Sequence, residues 1–252
     1  MGHFSLTSKT LSVLALAGLV AACSAPSAEQ RASGEPFDPY EKTNRKVHSF
    51  NTGLDRVILR PASQGYVTVV PNELVSSLSA FADNLSMPGN AVNALLQGDV
   101  RTFGRAIGRF ALNSTIGLGG LADAASEFGI AEVDTDFGET LSVWGVREGA
   151  FVMLPLLGPS TERDAVGTVV DFFLNPLDFA IDDKANNLGA YAQVVQRLGD
   201  RGQFSDTVDS ILYDSADSYA QLRVIYLQNR RFELAGDEEQ EYIDPYEELF
   251  ED

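Results

Sequence analysis

The sequence predicts an all-α domain assembled from many short helices. Three observations carry that prediction. Apolar residues recur at three- and four-residue spacing in one segment after another, helix-start signals precede those segments, and period-2 alternation is scarce outside Gly65–Val70. No internal repeat of solenoid length is present. Hydrophobic residues make up 44% of the 252, enough for a packed core in one substantial domain or two small ones.

The chain opens with an apolar run, Leu11–Ala22, preceded by Lys9 and closed by small residues. That run is too short for a transmembrane helix and has the layout of an export signal, so residues 1–22 are expected to be removed. Cys23 follows directly and is the single cysteine. Its place after Val20-Ala21-Ala22 is that of the lipidated cysteine of a bacterial lipoprotein, and Ser24 rather than an aspartate after it favours the outer membrane. Each buried methylene adds about 0.8 kcal/mol to membrane binding, so two or three acyl chains hold such a protein in place. Residues 23–37, rich in Ala, Ser and Gly, read as a flexible linker, and 38–235 as the folded domain. The formal charge is −18, and half of it lies in residues 236–252, which hold nine acids and no Lys or Arg. This end reads as an acidic, disordered tail, or as a docking motif, since Asp244-Pro245-Tyr246-Glu247 repeats Asp38-Pro39-Tyr40-Glu41. The charge argues against nucleic acid as a partner.

Asp38-Pro39-Tyr40-Glu41 predicts a helix entry, with Asp38 as cap, running to about Leu54 and breaking before Pro61. A second start at Pro71-Asn72-Glu73 feeds Leu74, Leu78, Phe81 and Leu85, Pro88-Gly89 interrupts, and a short helix carries Val92, Leu95 and Leu96. Asp99 is expected to cap a helix bearing Val100, Phe103, Ile107 and Phe110, ended by Gly117-Leu118-Gly119-Gly120. Helices are also expected near Thr161–Leu174, Asp182–Leu198, Ser205–Tyr213 and Asp217–Leu234. Val143–Pro159 does not fit this scheme. Its apolar run Ala150–Leu157 is punctuated by Gly and Pro, and is open to two readings: a buried loop or strand pair, or an apolar hairpin that enters a membrane or gates a cavity.

Catalysis is tested by subtraction. Once His3 leaves with the signal, His48 is the one histidine, so an H-E-x-x-H zinc site is excluded, and no G-x-S-x-G elbow is present. The thiol is expected to be acylated. The Gly117–Gly120 run follows a helix, not a strand, which argues against a phosphate loop. Asp134, Asp136 and Glu139 could form a carboxylate pair for glycan cleavage, but solvated loop acids are the simpler reading. No catalytic residue, metal or cofactor is expected. Arg101, Arg105 and Arg109 recur every four residues as a basic stripe that could meet lipid phosphates or pair with neighbouring acids.

Several blocks together resemble one family. Asp38-Pro39-Tyr40-Glu41 with Asn44-Arg45, Phe50-Asn51 and Leu54-Asp55 is similar to the opening of the MlaA/VacJ outer-membrane lipoproteins. So are Leu96-Gln97-Gly98-Asp99, Asn113 through Asp123, and Trp144-Gly145-Val146 through Leu154-Pro155 to Asp164. Arg147 and Ala150 stand where the family commonly has glycine and proline. The resemblance implies a ring of short amphipathic helices around a central polar channel, lying in the inner leaflet of the outer membrane beside a trimeric porin. It implies non-enzymatic transport: phospholipid misplaced in the outer leaflet passes through the ring to a soluble periplasmic carrier like MlaC. On that basis Arg101, Arg105, Arg109 and Asn113 are expected on or beside the lipid path. Gly145, Arg147, Gly149, Leu154 and Pro155 are expected in a hairpin gate. A non-catalytic outer-membrane assembly adaptor is the alternative function.

Overall fold

The structure is a computed structural model, and it describes residues 24–28, 30, 36–177 and 188–235. Cys23, the export signal and the acidic tail lie outside the described residues. Helix α1 spans Glu41–Leu54. Asp38 does not cap it. Its carboxylate instead takes the Asn44 amide at 2.9 Å, Arg223 at 2.7 Å and the Tyr219 hydroxyl, tying the start of the domain to its last helix.

The expected break before Pro61 does not occur. A π-helical turn, Asp55–Leu59, joins α1 to α2, Arg60–Val69. Pro61 falls in the first turn of α2, where its missing N–H costs least, and the wider π turn accommodates its ring. The alternating segment Gly65–Val70 is therefore helical up to Val69, against the expectation. Packing overrides its β-preference: Val67 lies over Gly202, where an added Cβ would come within 2.5 Å of it.

Helix α3, Asn72–Gln97, also runs through its proline. Pro88 loosens the carbonyls of the turn before it, and the Asn175 side chain donates to one of them, Leu85 O, at 2.9 Å. The break and separate short helix expected there are thus one continuous helix of 26 residues. Gly98 closes it at φ +80°, and Asp99 caps α4, Val100–Thr115, by accepting from the N–H groups of Arg101 and Thr102. Two short helices follow, α5 Ala124–Glu127 and α6 Phe137–Val143, capped by Asp123 and Asp136.

The Val143–Pro159 region contains a hairpin, β1 Phe151–Leu154 against β2 Gly158–Thr161. Phe151 and Met153 are buried against Tyr219 and Leu227, so the strand pair belongs to the core. The free edge of β1 is covered by two carboxamides of α1. Asn44 donates to Phe151 O and accepts from Met153 N, and Asn51 does the same for Leu154 O and Leu156 N. A helix thus replaces the missing strand at that edge. Thr161 caps α7, Glu162–Leu174, and the chain ends in α8 Leu188–Gln203, α9 Ser205–Asp209, a π turn Ser210–Asp214, and α10 Ser218–Ala235. The part of the expected Asp182–Leu198 helix before Leu188 lies outside the described residues.

The apolar cores are small. One gathers Met87, Ala91, Ala106 and Val133, the other the hairpin and α10. Many large apolar side chains are exposed instead, among them Val57, Val69, Leu118 and Phe173, each more than 70% exposed. Buried polar residues nearly match buried apolar ones. Among the described residues no helix is long and apolar enough to cross a membrane.

Candidate functional site

Helices α3, α4, α7 and α8 surround a cavity of about 1430 Å³. Three of them face it with regular polar stripes. On α3 the lining residues Ser76, Ser79, Asp83, Ser86, Asn90 and Asn93 recur at alternating spacings of three and four. On α8 Gln193, Gln196, Asp200 and Gln203 do so, and on α7 Thr168 and Asp171 continue into Asn175. That spacing, about 3.5 residues against the 3.6 of a helical turn, keeps a stripe on one face over several turns. Polar stripes thus face inward, with Met87, Leu157, Phe172, Phe173 and Phe204 lining the cavity beside them, whereas exposed Val57, Val69 and Leu118 do not line it.

One wall is a hydrogen-bonded cluster. Arg109, 5% exposed, donates to Asp123 at 2.8 Å, to Ile130 O at 2.6 Å and to Ser126 at 3.2 Å, while its Nε has no partner. Asn113 bridges Asp123 and the Ala125 N–H. Burial pushes the Asp123 carboxyl up, but Ser126, Asn113 and Arg109 together outweigh it and hold the group below its usual range. Asn84 on α3 reaches Ser114 at 3.0 Å. A Cβ at Gly120 would lie 2.7 Å from the Asn84 side chain, so close approach is what the glycine run provides, with Leu118 and Gly120 both at positive φ.

The cavity is acidic. Its lining includes seven carboxylates and two guanidiniums, Arg109 and Arg197. Burial, and after it neighbouring carboxylates, push up the carboxyls of Asp83, Asp134, Asp171 and Asp200. The Asp134–Glu139 acids have structural employment. Asp136 caps α6 and pairs with Arg230 at 2.7 Å, Glu139 accepts from Thr135, and Asp134 lines the cavity. Among the described residues no group of three or more His, Cys, Asp or Glu could hold a metal ion. His48 is buried, bonded to Ser218 and set edge-on to Tyr219.

Of the basic stripe, the structure brings Arg109 to the cavity together with Asn113. Arg101 and Arg105 do not line it, and among the described residues neither forms an ion pair. Steps of four residues drift about 40° each around a helix, so Arg101 and Arg109 point about 80° apart. Gly145, Arg147 and Gly149 lie in the loop before β1, with both glycines left-handed at φ +82° and +77°. Leu154 ends β1 and Pro155 begins its exposed turn, and of that turn Leu157 lines the cavity. The lining residues Asn84, Asp171, Gln196 and Asp200 were not anticipated. The three-and-four spacing of polar residues on α7 and α8 is the signal that could have found all of them but Asn84.

Ser24, the residue after Cys23, is also fixed in place. Its N–H and hydroxyl both bond the Glu162 carboxylate at 2.5 Å, which also accepts from Tyr40 and the Ala150 N–H. Within the segment 23–37 expected as a linker, Ser24 is thus bonded to Glu162, the first residue after β2.

The family model described as MlaA lipoprotein matches residues 36–233. An uncharacterised protein of Rickettsia felis is 35% identical, over 75% of this chain and 74% of its own. The intermembrane phospholipid transport system lipoprotein MlaA of Escherichia coli is 32% identical, over 90% of each chain. A solved structure, from work on the structural basis for maintenance of bacterial outer membrane lipid asymmetry, is 33% identical. It superposes with a TM-score of 0.67 over 78% of this chain and 98% of its own.

Proposed function

This chain belongs to the MlaA lipoprotein family, and from that premise we propose that it moves phospholipid between membranes to maintain lipid asymmetry. One observation carries the reading: polar stripes of α3, α7 and α8 face a shared cavity beside apolar side chains such as Phe172 and Phe173, while Val57, Val69 and Leu118 are exposed away from its lining. A phospholipid headgroup is costly to drag through hydrocarbon, and its tails are costly to expose to water. A ring wet inside and apolar outside offers the headgroup a polar path and its own rim to the surrounding acyl chains.

In this reading the acylated Cys23 holds the ring in the inner leaflet of the outer membrane, beside a trimeric porin. Phospholipid leaves the outer leaflet through the cavity for a soluble periplasmic carrier of the MlaC kind, with no covalent chemistry. Arg109 and Asn113 shape one wall, and Arg101 and Arg105 are assigned to phosphates of lipid around the ring. The loop from Gly145 to Gly149, with Arg147 between them, and the turn at Leu154-Pro155 adjust the opening. Locking the hairpin with an engineered disulfide is expected to slow lipid removal, and an unchanged rate removes the gate from the mechanism. The decisive experiment is deletion of the gene, followed by labelling of surface phospholipid with an impermeant reagent. Outer-leaflet phospholipid should rise and return to its former level on complementation. An unchanged outer leaflet would favour the assembly-adaptor function instead.

A further inference from the structure

We propose that the cavity discriminates by headgroup charge, admitting amine-bearing zwitterionic phospholipid in preference to net-anionic phospholipid. The proposal rests on the reading of the cavity as a phospholipid path and names the lipid class that path prefers. Its first ground is the charge left after internal pairing. Asp123 is compensated by Arg109 and Asp136 by Arg230. What remains on the lining is Asp83, Glu132, Asp134, Asp171 and Asp200 against Arg197, none of them in an ion pair among the described residues.

The second ground is a pair of orphaned polar atoms in the wall of the same cavity. Asn84, 2% exposed, gives its amide N–H to Ser114, while its Oδ1 accepts nothing. Arg109, equally enclosed, has an Nε that donates to nothing. A buried acceptor and a buried donor without partners each cost free energy until a ligand or water supplies them. A phosphoethanolamine group brings both kinds of partner to this lining: its phosphate oxygens suit Arg197, and its ammonium, with three donors, suits the unpaired carboxylates. A phosphoglycerol group brings the phosphate but no cation, so it meets the excess carboxylates uncompensated. Burial first, and then the charge of neighbouring carboxylates, shift Asp83, Asp134, Asp171 and Asp200 upward, and the second of these causes acts against a further anion.

The test uses the full-length acylated protein, purified in neutral detergent with EDTA. It is equilibrated with mixed micelles holding equal phosphatidylethanolamine and phosphatidylglycerol, and bound lipid is quantified by mass spectrometry. At low salt the bound phosphatidylethanolamine should exceed phosphatidylglycerol by about fivefold to tenfold, and the ratio should fall toward one as salt screens the lining. The variant Asp83→Asn/Glu132→Gln/Asp200→Asn, at three positions outside every ion pair among the described residues, should bring the ratio to within about twofold of one at low salt. Lipid bound in equal proportion, or an enrichment unmoved by salt, overturns the charge preference and leaves the transport reading standing. An enrichment that persists in the folded triple variant shows the carboxylates are not its source and overturns it too. No bound lipid of either kind sinks the transport reading and this proposal with it. Should the variant fail to fold, the salt series on the unaltered protein still decides.

Discussion

Arg109 is held by three acceptors, two of them side chains that themselves cap or follow a helix start, so its charge is a fixture of the wall rather than a mobile hook. Removing it leaves Asp123 without its cation and Ile130 O without its donor. Truncating one partner of a largely buried pair costs about 3 kcal/mol. For a domain of this size that is about 6–12 °C in melting temperature. Arg109→Ala should melt lower by that amount, and Arg109→Lys, which keeps the charge but not the fork, should fall between; equal melting of all three proteins would show that the pair is not structural. Asn44 makes a parallel case, since Phe151 O and Met153 N both depend on it. Asn44→Ala leaves two buried backbone groups unpaired, at about 1–3 kcal/mol each. The measurement is denaturant unfolding, and a midpoint like the parent's would deny the helix its role as surrogate strand. Local chemistry of this kind was partly legible beforehand. Asp99 and Thr161 were readable as helix-start positions because a cap and the N–H groups it satisfies are two or three residues apart. Asn84 with Ser114 and Arg201 with Asp55 were not, because the partners are 30 and 146 residues apart.

At the level of elements, both misread prolines teach the same point. Pro61 and Pro88 carry the ordinary cost of a lost N–H, and each is tolerated because something distant or irregular covers it: a π turn at the first, Asn175 at the second. The residue before a proline is only a weak boundary when tertiary contacts are free to intervene. The stripes of α3 and α8 show the opposite failure, since they were written in the sequence. Attention to apolar periodicity finds the face a helix buries in a core, whereas here the informative periodicity is polar and faces the cavity. Helix α3 therefore allows a direct test. Ser76→Leu/Ser79→Leu/Ser86→Leu turns one stripe apolar at positions that make no long-range hydrogen bond. Unfolding free energy should change by less than about 1 kcal/mol, as for most substitutions away from core or network positions. Outer-leaflet phospholipid in cells should nevertheless rise toward the level of the deletion strain. Normal asymmetry with this variant in place would mean that headgroups do not travel along α3.

The whole molecule sets two groups of carboxylates against each other. Burial pushes Asp55 and Asp164 up, but arginine and tyrosine partners outweigh it and hold both below their usual range. The stability they supply is present above the unfolded-state value and is lost as pH falls through the folded one. Asp83, Asp134, Glu139, Asp171 and Asp200 are shifted upward, so they weaken the fold while ionised. That penalty is relieved as pH falls through their folded values. Melting temperature should therefore rise as pH falls from 7.5 toward the ordinary carboxylate range, then drop once pH passes below about 4, where the depressed group takes up protons. The triple neutralisation of Asp83, Glu132 and Asp200 should flatten the upper limb and leave the lower one. A profile level from pH 7.5 to 5 would show that the cavity carboxylates carry no such penalty.

Orientation in the bilayer is the remaining problem at this scale, because exposed apolar side chains help only if they are presented to hydrocarbon. A long free tether from Cys23 would leave the ring to find its own attitude. Glu162 removes that freedom by holding Ser24 through both its N–H and its hydroxyl, at the junction where β2 passes into α7. Burial pushes the Glu162 carboxyl up, yet Ser24, Ala150 and Tyr40 together keep it below its usual range, so it is ionised and accepting at neutral pH. Any acyl chains on Cys23 would then enter the membrane beside the hairpin, and the ring's tilt would follow from a few hydrogen bonds. Glu162→Ala, in the acylated protein, should leave membrane attachment intact while the Ser24 amide exchanges at least tenfold faster, a factor equivalent to about 1.4 kcal/mol. Cross-linking from ring residues such as Val57 and Leu118 to lipid should weaken at the same time, since their depth would no longer be fixed. Unaltered exchange at Ser24, or unaltered cross-linking despite faster exchange, would return the orientation to the apolar rim alone.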